Sequence, residues 1–120
     1  MSTDAIARLH AGPRMSQAVV HGATIYLAGQ VADQAKGKSV GDQTKEILAT
    51  IDRLLAEAGS DKTKLLSTTI YLADIGTFAE MNAVWDAWVP AGHAPARATV
   101  EAKLAAPPYT VEIACIAAKS

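Results

Sequence analysis

Residues 92–118, GHAPARATVEAKLAAPPYTVEIACIAA, carry two runs with apolar residues on both strand faces, and burying both faces is the demand that most limits what the chain can become. Residues 97–103 and 110–118 read as strands, joined by the Ala-Ala-Pro-Pro turn at 105–108. Side chains alternate across a strand, so Arg97, Thr99 and Glu101 share one face and Ala98, Val100 and Ala102 the other. In the second run Val111, Ile113, Cys115 and Ala117 share a face, which leaves Glu112 opposite, beside Ala114 and Ile116. An arginine and a lone glutamate in such surroundings are costly unless each is paired or binds a ligand.

A chain of 120 residues suffices for one core and is too short for two, so one domain over residues 1–120 is expected. Hydrophobic residues make up 50% but aromatics only 5%, so aliphatic side chains must fill the interior. The formal net charge of −1 and the lack of like-charge runs argue against a nucleic-acid partner. A single cysteine precludes an internal disulfide and makes a reducing compartment the default. Neither a signal-peptide pattern nor a membrane-length apolar stretch is present, so a cytoplasmic protein that does not enter membranes is expected.

In chain order, residues 1–12 read as an irregular lead-in, and residues 15–20 and 24–29 as a hairpin about His21-Gly22. Residues 30–41 are polar and glycine-bearing, a loop. Apolar positions at helical spacing predict a helix over 42–58, with Gly59 as its left-handed cap. A strand over 65–73 follows. Thr77 and Glu80 have capping-box spacing and predict a second helix to about Val89, with Phe78, Met81, Trp85 and Trp88 on one side. The order β-β-α-β-α-β-β implies an α+β domain, two helices on one face of a mostly antiparallel sheet. Two helices cover one face only, and another copy of the chain is the simplest cover for the second.

Taken together, Ser16-Gln17-Ala18-Val19-Val20, Leu27-Ala28-Gly29-Gln30, the helix at 43–59, residues 78–82, Pro95-Ala96-Arg97-Ala98-Thr99-Val100-Glu101 and Val111-Glu112-Ile113 resemble the RidA (YjgF-type) imine deaminase family over nearly the whole chain. The resemblance implies a chorismate-mutase-like fold, a homotrimer and a ligand cleft at each subunit interface. It also implies cofactor-free hydrolysis of 2-imino acids such as 2-iminopropanoate and 2-iminobutanoate to 2-oxo acids and ammonia. The sequence has no Cys/His cluster at metal-ligand spacing and no phosphate-binding glycine loop.

Carried onto this chain, the resemblance makes Arg97 the clamp for the substrate carboxylate, a task suited to the two parallel donors of a guanidinium. A salt bridge to Glu101 or Glu112 is the alternative. Glu112 becomes the group that handles water and proton, or else a structural partner of Arg97. Thr99 stands where many relatives have cysteine; with no adjacent base it acts through position rather than as a nucleophile. Gly29 allows backbone to approach the ligand, and Asn82 reaches toward the cleft from the second helix. Met15 replaces the tyrosine of many relatives and lends the pocket an apolar wall. Arg14 is either a second anion contact or surface, His93 a loop anchor, Trp85 and Trp88 packing residues, and Cys115 core. Two further functions compete: a non-catalytic trimer that binds small carboxylates, and an endoribonuclease or translation inhibitor, which the charge balance and the lack of paired histidines disfavour.

Overall fold

The computed structural model describes residues 5–120. Its strands are β1 (Ile6–Leu9), β2 (Ala18–His21), β3 (Thr24–Leu27), β4 (Leu65–Leu72), β5 (Ala96–Glu101) and β6 (Val111–Ala118), and its helices α1 (Val40–Glu57) and α2 (Phe78–Trp88). The six strands form one sheet in the order β1-β2-β3-β6-β4-β5, antiparallel throughout except for the parallel pair β4/β5. Two helices pack on one face of it, the α+β arrangement that the element order predicts. The principal extents are 49 × 37 × 21 Å.

Strand alternation divides the sheet cleanly. Val111, Ile113, Cys115 and Ala117 of β6 are all buried with Ile70 and Leu72 of β4 beneath Ile47, Ile51, Leu55 and Met81 of the helices. On the opposite face Glu112, Ala114 and Ile116 are half-buried, and Tyr26 and Val100 stand 47% and 42% exposed. Among the described residues nothing covers this second face.

The helices begin and end for local reasons. Ser39 caps α1 by accepting a hydrogen bond from the Asp42 N–H at 3.1 Å, so the helix starts two residues ahead of the expected 42, inside the stretch read as loop. At its other end Gly59 takes a φ of 87°, and the Ser60 N–H to Leu55 carbonyl and Gly59 N–H to Ala56 carbonyl bonds complete a Schellman motif.

Three expectations are corrected. Residues 1–12 are not all irregular: although 1–4 lie outside the described residues, Ile6–Leu9 pairs with β2, and Arg8 and His10 hid its short strand pattern. The strands of Arg97 and Glu112 are not neighbours, because β4 lies between them and pairs with both. The helix α2 carries the chain back over the sheet to lay β5 parallel to β4, and residues 102–110 then cross to the far side of β4. Finally, Thr77 does not cap α2. It lies in a preceding 3₁₀ turn with its hydroxyl bonded to the Asp74 carbonyl, while the Glu80 carboxylate reaches the Gly41 N–H of α1 at 2.8 Å.

Candidate functional site at two separated half-sites

The first half-site forms between β5 and α2. Strand pairing sets Arg97 opposite Thr68 and Thr68 opposite Cys115, which places Arg97 and Thr99 on the helix-covered face. The open edge of β5 leaves room there for a long side chain. Phe78, Asn82 and Trp85 lie four and then three residues apart on α2, one stripe of that helix. The Arg97 guanidinium carbon stands 5.8 Å from the Phe78 ring centre and 5.3 Å from that of Trp85. Among the described residues it forms no ion pair, and Glu101, the acid two strand positions beyond Thr99, accepts instead from the Ile75 N–H at 3.0 Å. Asn82 Oδ1 and Thr99 Oγ1 are buried yet lack hydrogen-bond partners. A cation without a counter-ion, a free hydroxyl and an unpartnered amide oxygen together make a surface suited to a small anion that also carries an N–H or O–H donor.

A second half-site lies on the uncovered face. There Glu112 stands opposite Tyr71 of β4, and β3 continues past Leu27 to bring Gly29 against it. Mutual backbone hydrogen bonds between Gln30 and Ile113, 2.8 and 3.1 Å long, fix this approach. A Cβ on Gly29 would come within 2.9 Å of the Glu112 carboxyl carbon, so glycine is the residue that leaves this carboxylate its place. The requirement is one of space, because Gly29 is absent from the positive-φ glycines.

Arg97 and Glu112 therefore do not meet in one chain. They occupy opposite sheet faces, two strands apart and three residues out of step, which at ordinary strand dimensions is about 10 Å in each direction. The sequence pattern assigns each to a face but carries no sign that β4 intervenes. Met15 is 49% exposed on the turn before β2, its carbonyl bonded to the Gly12 N–H, and Arg14 is exposed beside it. His93 holds its own turn through the Ala91 carbonyl at 3.0 Å. Cys115 is buried, and burial pushes its thiol up to about 11 despite the hydrogen bond it shares with Thr68.

One residue with a large structural task was missed. Gln43 is fully buried, donating from its amide to the carbonyls of Lys38 and Pro108 and accepting from the Thr110 N–H at 2.9 Å, which pins the crossing loop before β6 to α1. A polar residue in the first turn of a helix gives no hint of such a clamp. A cleft of about 580 Å³, lined in part by His10, Gln30, Glu46 and Glu57, contains none of the expected catalytic or substrate-binding residues. Among the described residues, no group of three or more His, Cys, Asp or Glu side chains is placed to hold a metal ion, and no helix is long and apolar enough to cross a membrane.

The chain is thus a two-layer α+β protein whose edge strand carries an arginine without an ion pair among the described residues. Residues 5–119 match the family model described as endoribonuclease L-PSP, and the chain belongs to this family, which includes the YjgF and RutC proteins. It is 45% identical over 112 residues to a RutC family protein of Haemophilus influenzae, covering 93% of this chain and 97% of that one. It is 34% identical over 107 residues to a 2-iminobutanoate/2-iminopropanoate deaminase of Rattus norvegicus, covering 85% and 77%. The solved structure of a YjgF-family member from Neisseria meningitidis superposes with a TM-score of 0.96 at 48% identity, covering 99% and 98%.

Proposed function

We propose that the chain hydrolyses reactive 2-imino acids to 2-oxo acids and ammonia, at sites shared between the subunits of a homotrimer. The observation that carries this reading is the unpaired Arg97 guanidinium beside the unpartnered Asn82 and Thr99 oxygens. It is supported by the family membership and by the name of the rat relative. Because Glu112 lies on the opposite, uncovered face, a second subunit must supply the Gly29–Glu112 half to the Arg97 half of the first. The same uncovered face provides the apolar area on which such subunits would join.

In this arrangement Arg97 holds the substrate carboxylate by two parallel hydrogen bonds. Glu112 takes a proton from water as the oxygen adds to C2 and the C=N electron pair moves onto nitrogen. It returns that proton to the amine of the resulting carbinolamine. Glu112 then carries the carbinolamine's hydroxyl proton to that nitrogen, and breakage of the C–N bond expels ammonia as the oxygen's electron pair forms the C=O of the 2-oxo acid. Thr99 and Asn82 orient the reacting centre, Gly29 keeps the water position open, and Met15 adds an apolar wall. No cofactor or metal enters this scheme, and the cytoplasm is the compartment it implies.

The test is ammonia release from 2-iminopropanoate generated in place by an amino-acid oxidase. The wild type is expected to exceed the spontaneous rate, and Arg97→Ala and Glu112→Gln each to fall to it. Wild-type protein that binds pyruvate through Arg97 without accelerating hydrolysis would make the chain a carboxylate-binding trimer instead. RNA cleavage lost in both variants would favour the ribonuclease.

A further inference from the structure

We infer that Phe78 and Trp85 are positioning residues for Arg97, an aromatic bracket that orients the guanidinium and leaves its hydrogen-bonding edge free for the ligand; this rests on Arg97 as carboxylate anchor. A half-buried arginine is commonly held by a carboxylate, which would occupy the donors that a substrate needs. Here ring faces hold it instead, at 5.8 and 5.3 Å from the guanidinium carbon. A ring face attracts the cation through its quadrupole and consumes no N–H group, so all five donors stay available. Displacing water from the guanidinium also strengthens its attraction for an incoming carboxylate.

The bracket is itself anchored. Trp85 is 5% exposed and packs on Trp88 with ring centres 5.4 Å apart. The Trp88 indole N–H donates to Asp52 of α1 at 2.9 Å, and Lys62 lies over the same ring at 5.1 Å. A contact chain thus runs from the first helix through two indoles to the guanidinium. Phe78, 39% exposed, is the outer wall and the bracket member nearest to solvent.

The chain has two tryptophans, so Trp88→Phe leaves Trp85 as the sole indole reporter. Titration of Trp88→Phe with pyruvate is expected to change its fluorescence saturably, and Arg97→Ala in that background to abolish the change. By calorimetry, Trp85→Leu and Phe78→Leu should each weaken pyruvate binding about tenfold, and Trp85→Tyr should restore it. In the imine assay the same losses should fall on KM more than on kcat. Should Trp85→Leu prove poorly folded by its melting curve, Phe78→Leu and Trp85→Tyr decide the matter. Wild-type affinity in folded Phe78→Leu and Trp85→Leu, with binding still lost in Arg97→Ala, would overturn the bracket and leave the anchor standing. Pyruvate binding that Arg97→Ala does not alter would overturn the anchor and the bracket together.

Discussion

At the scale of single residues the two half-sites fail in different ways when altered. Gly29→Ala places a methyl group where the Glu112 carboxylate lies, and the obstructed atoms are the far end of a flexible side chain. The carboxylate is expected to swing away with little change in melting temperature, while the rate of imine hydrolysis drops to that of Glu112→Gln. Arg97→Lys keeps the charge but loses the paired donors, and a KM raised by about tenfold or more is expected from steady-state kinetics. Cys115 supplies a pH dependence. Its thiol sits near 11 in the fold against 9.0 for the free group, so above pH 9 the unfolded chain releases a proton that the folded chain retains. Stability is thus fully present below pH 9 and declines toward pH 11, by about 3 kcal/mol at most. Urea denaturation of wild type and Cys115→Ala across that range should show the extra slope in wild type alone. Arg97 and Glu112 were legible in the sequence because each breaks the polarity of its strand, whereas Gly29 was marked only by the family resemblance and Cys115 only as core. The separation of Arg97 from Glu112 was not legible, since alternation defines faces within a strand and says nothing about which strand comes to lie beside it.

Among the elements, both helices showed in apolar spacing, and Gly59 marked the end of α1 as expected. What could not be read were bonds between residues far apart in sequence. Glu80 and Thr77 have the spacing of a cap, but the Glu80 carboxylate is 39 positions from the N–H it accepts from, at the first turn of the other helix. There it faces the positive end of the α1 dipole. Glu80→Gln is expected to destabilise the fold by about 1 kcal/mol, measured by chemical denaturation. Gln43→Leu is expected to cost as much or more, about 1–2 kcal/mol, since it removes three hydrogen bonds, two of which tie α1 to the crossing loop, and leaves the half-buried Thr110 N–H without its partner. A variant that kept full stability would show that the crossing loop rests on packing alone.

For the whole molecule, the bare sheet face determines what the chain does next. The double-sided apolar character of residues 97–118 predicted that face correctly, because one layer of helices covers one side of a sheet. Ala114→Arg, in the middle of it, is expected to yield a monomer by light scattering with unaltered far-UV circular dichroism, and to abolish imine hydrolysis because neither half-site suffices alone. The strand order has a further consequence for how the protein is made. β6, the central strand, is synthesised after β3 and β4, the two strands it joins. Until β6 is in place, both present unsatisfied edges to the crowded surroundings, so the sheet is most aggregation-prone before that strand is made. Of the six described strands β6 is thus the latest in sequence, and it joins the β1–β3 meander to the β4/β5 pair.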